Sequence, residues 1–452
     1  MWSLVAFCIL LAIPGLQGRD VTPEQVHLSY HGIPEEMVVT WITWRKVKEE
    51  SFVLYGENPT DLKHKEPIYD YDKYTSHGSM GLERHVYKAN MRKLHSRTVY
   101  YYRVGFEGHL SNVFKFKSMS PDMGSYRVAI FGDLGVANGV STESLVDRAQ
   151  KGDIDLVIDM GEFAYNLHTN NGILGDTFFA QILPIAAFVP FMTVAGNHEY
   201  KRHFHEYKHR FAMPENGAGV AGNQFYSFDL GEVHFIALSS EFYGFGMTDE
   251  ILTQFDWLKK DLKETEKPWI VTYMHRPMYC SAKGSNDCTA ADSKYLREGN
   301  ITVPGLEDLF NQKGVDFGFW GHKHYYERMF PVFNNRTYKQ PLNVYKNAQT
   351  PVYVITGAAG NRDKHTHIAD YINPYSAIRS LEYGYMVMHV HNGTHIHLKQ
   401  LSVERDDSVV DELWVVKDAG YKPGIKNREP KRLDRVDMKE LMETNRGSDS
   451  EF

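Results

Sequence analysis

The chain has 452 residues, with 50 lysines and arginines against 57 aspartates and glutamates, which gives a net charge of −7 with histidine neutral. Apolar residues make up 42% and charged residues 24% of the chain, as in soluble globular proteins, and this excludes intrinsic disorder of the whole chain. The slight acidic excess gives no sign of the basic surface that nucleic-acid binding needs, and the length predicts two or three hydrophobic cores.

The N-terminus has the pattern of a cleaved signal peptide. An apolar run from Leu4 to Ile13 is too short to span a bilayer, and cleavage is expected after Gly18. No lysine or arginine precedes the run, so a buried N-terminal strand is the alternative. No later stretch approaches the roughly 20 apolar residues of a transmembrane helix. We therefore predict residues 1–18 as a signal peptide and a secreted, extracellular protein, with a lysosomal location also open.

Short apolar runs separated by turn residues fill residues 22–118. Strands are predicted at 26–28, 37–41, 51–55 and 98–104. About a hundred residues of spaced strands without a helical period are typical of an antiparallel β-sandwich. Trp41 and Trp44 are expected in its core.

From residue 124 to about 420, strands alternate with helices. Strands are predicted at 128–131, 156–160, 191–194, 270–274 and 315–320, and helices at 144–149 and around 251–262, where Ile251, Phe255, Leu258 and Leu262 share one face. This alternation predicts an α/β domain. Residues 351–416 return to a strand pattern and are expected to pack on it, and residues 421–452 are predicted to be a charged, mobile tail.

The cysteines and sequons fit a secreted protein. Cys8 would leave with the signal peptide, and Cys280 and Cys288 bracket a mostly polar loop, which favours a disulfide over two free thiols. Potential N-glycosylation sites occur at three asparagines: Asn300, Asn335 and Asn392. Asn392-Gly393 also predicts a type I′ hairpin turn, which would expose the asparagine.

Five polar clusters come at or just after the predicted central strands. They are Gly132-Asp133-Leu134-Gly135, Gly161-Glu162-Phe163-Ala164-Tyr165, Gly196-Asn197-His198-Glu199, Met274-His275-Arg276-Pro277 and Gly321-His322-Lys323-His324. The ends of strands in an α/β sheet are where ligand sites collect. Carboxylate, phenol, amide and imidazole groups suit hard or borderline metal ions, so the set predicts a metal site.

The order and residue types of these clusters resemble the calcineurin-like metallophosphoesterases. Tyr165, three residues after Glu162, narrows the resemblance to the purple acid phosphatases and, within them, to the animal acid phosphatase type 7 group. The resemblance covers nearly the whole mature chain and implies a fibronectin type III-like sandwich at 22–118, followed by an α/β metallophosphoesterase sandwich domain at 124–420. It also implies a secreted acid phosphatase that hydrolyses small phosphate monoesters by attack of metal-bound hydroxide.

The same resemblance implies a role for each polar residue. Asp133, Tyr165 and His324 would hold a ferric ion. Asn197, His275 and His322 would hold a divalent ion, which could be zinc, iron or manganese. Glu162 would bridge the two ions, and His198 would contact the substrate and help the leaving group depart.

The chemistry of such a site is coherent. Two ions of total charge about +5, set against two carboxylates, a phenolate and a hydroxide of about −4, leave roughly +1, which favours an anionic phosphate ester. Two metals can present a hydroxide to phosphorus and neutralise the charge that develops on its oxygens, so no protein nucleophile is needed. A ferric ion keeps its water deprotonated at low pH while His198 stays protonated, and this predicts an acid optimum.

Two departures from the family pattern matter. The bridging position, normally aspartate, is Glu162, one methylene longer, so we expect slower turnover than in a Glu162→Asp protein unless the surrounding loop has relaxed around glutamate. Plant-type members also bring histidines to the substrate from the loop after the Met-His-x-Pro motif, whereas residues 281–321 contain none. The remaining histidines are expected on solvated faces: His203, His205, His209, His389, His391, His395 and His397.

Two other functions remain open. One is a phosphodiesterase with the same metal core, against which Tyr165 argues. The other is a catalytically weakened glycoprotein of the same fold that binds a partner through its sandwich, and Glu162 keeps this possibility open. The sequence does not predict the oligomeric state.

Overall fold

The computed structural model of this protein describes residues 21–220, 222–283, 288 and 291–424. The predicted signal peptide and nearly all of the predicted tail lie outside the described residues. Within the described part, no helix is both long and apolar enough to cross a membrane.

Eight strands form the N-terminal region: β1 (Glu24–Ser29), β2 (Met37–Thr43), β3 (Phe52–Gly56), β4 (His64–Thr75), β5 (Glu83–Met91), β6 (Val99–Phe106), β7 (His109–Leu110) and β8 (Phe114–Lys117). Their order is β1-β2-β5-β4-β3-β6-β7, with β8 also on β6. The long β4 pairs antiparallel with β5 on one side and with β3 on the other. Trp41 on β2 and Tyr87 on β5 belong to the same hydrophobic core as Tyr102 on β6, as expected when two layers of a sandwich pack together. Trp44 is only half-buried.

The second region alternates strands and helices. Its first half contains β9 (Tyr126–Phe131), α1 (Thr142–Lys151), β10 (Leu156–Asp159), α2 (Ile173–Ala186), β11 (Phe191–Thr193), a 3₁₀ turn (Asn197–Glu199), α3 (Lys201–Arg210), β12 (Tyr226–Leu230), β13 (Val233–Ala237), α4 (Glu241–Gly244), α5 (Thr248–Glu264) and β14 (Trp269–Met274). Its second half contains α6 (Ala291–Glu298), α7 (Glu307–Lys313), β15 (Phe317–Trp320), β16 (Tyr326–Met329), β17 (Val332–Phe333), β18 (Arg336–Thr337), β19 (Val344–Lys346), β20 (Val352–Thr356), β21 (Ser376–Ser380), β22 (Gly384–Asn392), β23 (His395–Ser402), a 3₁₀ turn (Val403–Arg405) and β24 (Ser408–Val416).

Two seven-stranded sheets dominate this region, in the orders β11-β10-β9-β22-β23-β24-β19 and β12-β13-β14-β15-β20-β16-β21. Within the first sheet β9, β10 and β11 are parallel, and within the second β13, β14, β15 and β20 are parallel. Every residue of β10, β14, β15 and β20 is buried, which explains their unbroken apolar runs. The end of β9 meets the end of β20 through a bond from Gly132 N–H to the Thr356 carbonyl. The α/β character is therefore confirmed, and strands from the C-terminal stretch take part in both sheets.

Buried ion pairs join the sandwich to this region. Asp176 on α2 accepts bonds from Arg84 on β5 (2.7 Å) and from Arg210 on α3 (3.0 Å), and both arginine side chains are 0% exposed. His209 pairs with Asp72 and stacks on Tyr74 of β4. The expectation of a solvated face is therefore wrong for His209, because α3 packs against β4, although His203 is exposed as expected.

The histidines of the C-terminal hairpin also differ in part from the expectation. His397 is buried, because its ring stacks on Trp414 (centroids 4.2 Å apart) and its Nε2 lies 2.7 Å from a Glu412 carboxylate oxygen. His389, His391 and His395 are half-buried on the same hairpin.

The cysteine pair and the sequons have different outcomes. Cys280 and Cys288 form the predicted disulfide. Asn335 and Asn392 are exposed at hairpin turns, but Asn300 is only 6% exposed, and its Oδ1 accepts three bonds from Thr302 and Val303, which disfavours glycosylation there. The prediction of a type I′ turn is wrong, because Gly393 does not have a positive φ. The N–H groups of Thr394 and His395 instead donate to the Asn392 Oδ1, as in an Asx turn.

Candidate metal centre

Eight side chains that the sequence predicted as site residues meet at one edge of the two sheets. Asp133, Glu162 and Asn197 follow β9, β10 and β11 of the first sheet, and His275 and His322 follow β14 and β15 of the second. Tyr165, His198 and His324 lie on the same loops. Because these strands are parallel within each sheet, their carboxyl ends bring the loops together.

Glu162 stands between two groups of donor atoms. Its Oε1 lies 3.3 Å from His275 Nε2 and 3.8 Å from His322 Nδ1. Its Oε2 lies 3.4 Å from His324 Nε2. The ligand atoms of Glu162, His275 and His322 all lie within 4.8 Å of one another, and so do those of Asp133, Glu162 and His324.

Asn197 and Tyr165 complete the two groups. Asn197 Oδ1 lies 3.1 Å from His275 Nε2, on the Oε1 side of Glu162. The Tyr165 hydroxyl lies 3.1 Å from His324 Nε2, on the Oε2 side. Each group therefore contains one carboxylate oxygen of Glu162 and three further side chains.

The orientation of the histidines fits metal ligation. The Nδ1–H of His275 donates to the Met160 carbonyl (2.8 Å), and the Nδ1–H of His324 donates to the Lys364 carbonyl (2.9 Å). Each Nε2 therefore faces a Glu162 carboxylate oxygen and other electron-rich ligand atoms. So many such atoms lie close together that a positive charge between them is needed to stabilise the arrangement. Hydrogen bonds of this kind fix the tautomer of metal-binding histidines. The buried Asp133 Oδ1 accepts no well-formed hydrogen bond among the described residues and lies 3.5 Å from His324 Nε2, so both atoms can face one cation.

The protonation behaviour of the cluster points the same way. Burial, and then repulsion by Glu162, raise the pKa of Asp133 to about 7. Burial lowers the pKa of His275, but the Glu162 carboxylate outweighs it and raises this pKa to about 9. Burial opposes ionisation of Glu162, yet the surrounding histidines hold its pKa well below the usual range. Asp133 and His275 thus retain protons more strongly than usual, and metal ions can supply positive charge there in place of protons.

Four of these residues have a left-handed backbone: Asp133 (φ 61°), Glu162 (φ 58°), Tyr165 (φ 49°) and His322 (φ 65°). This conformation is unfavourable for side chains other than glycine and clusters at functional sites. Two glycines make room around Asp133, because a Cβ at Gly321 or at Gly357 would lie 2.7 Å from Asp133 Oδ2. The site therefore depends on the backbone around it as well as on its ligands.

His198 lies beside the two groups. Its Nδ1–H donates to Asn166 Oδ1 (3.0 Å), and its Nε2 lies 3.9 Å from Glu162 Oε1. The bond to Asn166 fixes which nitrogen faces the site. Sequence reasoning did not single out Asn166, because its role depends on the left-handed turn at Tyr165 and Asn166.

Glu199 supports the backbone of the site. Its buried Oε2 accepts bonds from the N–H groups of Glu162 and Gly196, both 2.9 Å long. Glu199 was part of a predicted polar cluster, but no role followed from its position.

Residues 361–367, which we call the rim segment, also hold the backbone of the site in place. They were not identified from the sequence. His324 N–H donates to Thr366 Oγ1 (3.0 Å), and the Nδ1–H of His365 donates to the His324 carbonyl (3.0 Å). The rim segment follows β20, whose carboxyl end lies beside that of β15. A polar stretch after a buried strand is the signal that could have found it.

Three family models match the chain. They are the purple acid phosphatase N-terminal domain over residues 23–118, the calcineurin-like phosphoesterase over 126–326 and the iron/zinc purple acid phosphatase-like protein C over 350–412.

Relatives match along most of the chain. Acid phosphatase type 7 of Homo sapiens is 39% identical over 431 residues, which cover 92% of this chain and 96% of that protein. Acid phosphatase type 7 of Danio rerio is 37% identical over 88% of this chain and 91% of that protein. Among solved structures, purple acid phosphatase PPD1 from yellow lupin (Lupinus luteus) seeds aligns with a TM-score of 0.74 at 21% identity, covering 91% of this chain and 78% of that chain, which supports the fold.

Proposed function

This chain belongs to the purple acid phosphatase family, and on that premise we propose that it is a binuclear-metal acid phosphatase that hydrolyses small phosphate monoesters. The observation that supports this most is the position of Glu162, whose two oxygens each face a separate group of metal-ligand side chains. Such a division suits two ions that share one carboxylate.

We assign the ferric ion to Asp133, Tyr165 and His324. We assign the divalent ion, which would be zinc, iron or manganese, to Asn197, His275 and His322. Glu162, whose two oxygens face the two groups, would help to hold both ions. When bound, the two ions would activate water and neutralise charge on the phosphate oxygens.

His198 is the residue that we assign to the leaving group. Its Nδ1–H is held by Asn166, so Nε2 faces the cluster, where it can donate a proton to the departing oxygen.

We also propose that the protein is secreted or lysosomal and glycosylated. Asn335 and Asn392 are exposed at hairpin turns and suit glycosylation, whereas Asn300 does not. The disulfide between Cys280 and Cys288 agrees with an oxidising compartment.

Metal analysis and a chromogenic phosphate ester, assayed from acid to neutral pH, test the proposed function. We expect two metals per chain, turnover that is highest at acid pH, and a broad visible band from a Tyr165–iron contact that Tyr165→Phe removes. His322→Ala should lose the divalent metal and turnover, whereas His395→Ala on the hairpin is the matched control. A folded protein that holds both metals but turns over only diesters, or nothing, would favour the phosphodiesterase or the weakened glycoprotein.

A further inference from the structure

Arg362, on the rim segment, lies at the edge of the metal centre. Its guanidinium carbon lies over the Tyr165 ring, 5.5 Å from the ring centroid. The opposite end of Tyr165, its hydroxyl, points to His324. The Arg362 side chain is 36% exposed, whereas Tyr165 is buried. A solute that reaches the metal centre from solvent can therefore contact the guanidinium.

The backbone next to Arg362 is fixed to the site. Asn361 N–H donates to the Asp133 carbonyl (2.7 Å). The Asn138 Nδ2 donates to the carbonyls of Gly360 (2.9 Å) and Asn361 (3.1 Å). The start of the Arg362 side chain is thus held relative to Asp133, so its reach is limited to the neighbourhood of the centre.

Arg362 makes one of its ion pairs in contact with solvent. Its Nε donates to Asp363 Oδ1 (2.9 Å), and both side chains are exposed, at 36% and 46%. An exposed pair of this kind contributes little to stability, because water screens it. A guanidinium can bind a phosphate or carboxylate through two parallel hydrogen bonds, so a substrate anion can compete with Asp363.

We propose that Arg362 binds a second anionic group of the substrate, next to the phosphate that occupies the metal centre. The enzyme would then favour phosphoanhydrides, and esters that carry a second phosphate or a carboxylate, over esters of uncharged alcohols. A second group is indicated because Arg362 covers the face of the Tyr165 ring, away from the hydroxyl that faces the proposed metal ligands. The inference rests on the proposed function, since it assumes that the metal centre binds one phosphate.

Binding of methylenediphosphonate and of inorganic phosphate to the metal-loaded protein, measured by calorimetry, tests this role without turnover. Arg362→Gln should weaken methylenediphosphonate by about 10- to 100-fold, the effect of one charged hydrogen-bond pair, and leave phosphate within about twofold. Arg362→Lys should give an intermediate loss, because the charge stays and the paired donors are lost. Arg336→Gln is the matched control, since Arg336 is also exposed and stacks on a tyrosine, 5.7 Å from the Tyr338 ring centroid.

Two results would overturn the proposal. If Arg362→Gln weakens both ligands equally, Arg362 serves the reacting phosphate or the integrity of the site. If it weakens neither, the guanidinium binds no substrate anion. Failure of the proposed function would look different: the wild-type protein would bind both ligands and discriminate between them, yet hydrolyse no phosphate monoester.

Discussion

Glu162 links the two groups of donor atoms, because each group contains one of its carboxylate oxygens. Its Oε1 and Oε2 reach His275 at 3.3 Å and His324 at 3.4 Å. Its backbone is left-handed and its N–H is held by Glu199. With glutamate in place both oxygens already reach the two groups, which favours the relaxed-loop alternative over a weakened enzyme.

We accordingly expect Glu162→Asp to lower turnover. Aspartate withdraws both oxygens from the two groups by about one C–C bond, and a displacement of about 1 Å in a catalytic site can cost on the order of 10²-fold in rate. Metal content, turnover and thermal stability of both proteins decide the question. A faster Glu162→Asp protein with the same metal content would restore the expectation drawn from the sequence, that glutamate slows this enzyme.

His198 and Asn166 form a pair whose effects should be linked. His198→Ala should slow esters with poor leaving groups by roughly 10²- to 10⁴-fold and activated aryl phosphates less, because a good leaving group needs little protonation. Asn166→Leu should show the same dependence with a smaller loss, since Nδ1–H loses its acceptor while Nε2 remains. In the double variant the losses should not add, because both changes act on one proton transfer. Equal losses across leaving groups would instead assign these residues to binding.

The strands that end at the metal centre were predictable because burial on both faces gives them unbroken apolar runs, as in β10 and β14. Strand β4 was not predictable from the sequence, because it is largely exposed and contains Pro67. Its position is set by pairing with β3 and β5 and by packing against α3. The side chains that meet at the candidate metal centre were predictable from residue type and order. The hydrogen bond from His324 Nδ1–H to the Lys364 carbonyl was not predictable, because every residue has a carbonyl and only the fold determines which one lies next to the imidazole.

The disulfide and the rim segment support each other across a short pairing. Lys283 N–H donates to the His367 carbonyl and Ala369 N–H donates to the Ser281 carbonyl, both at 2.8 Å. The Cys280–Cys288 bridge closes the loop that begins at this pairing. Because the rim segment holds His324, the bridge indirectly supports the metal centre.

Replacing both Cys280 and Cys288 by serine should therefore destabilise the protein by about 2–3 kcal/mol, the expected contribution of a disulfide that closes a short loop. We also expect faster loss of the metal proposed to bind at His324 when a chelator is added. Thermal unfolding and metal release over time measure the two effects. Unchanged metal release in a destabilised variant would show that the pairing of residues 281–283 with 367–369 holds without the bridge.

The sandwich and the catalytic region share one interface, and Asp176 is its electrostatic centre. Two arginines with fully buried side chains, Arg84 and Arg210, donate to its carboxylate. Burial raises the pKa of Asp176, but Arg210 and Arg84 outweigh it and hold the pKa below the ordinary value. An acid with a lowered pKa in the folded state stabilises the protein above its unfolded pKa, and this contribution is lost only as the pH falls through the folded value. The interface should thus remain intact at mildly acid pH, down to about the usual pKa of an aspartate, near 4.

Asp176→Asn should uncouple the two regions. It leaves two buried guanidinium groups without their shared carboxylate, which costs roughly 3 kcal/mol, and the loss should fall on the interface more than on either core. We expect one thermal transition for the wild-type protein and two for Asp176→Asn, with new proteolytic cleavage between residues 118 and 124. Asp153→Asn, a change at an exposed aspartate after α1, is the control and should leave both measurements unchanged. If Asp176→Asn lowers the stability but the transition stays single and the linker stays resistant, the regions are joined by their shared apolar core, and the ion pairs only add to it.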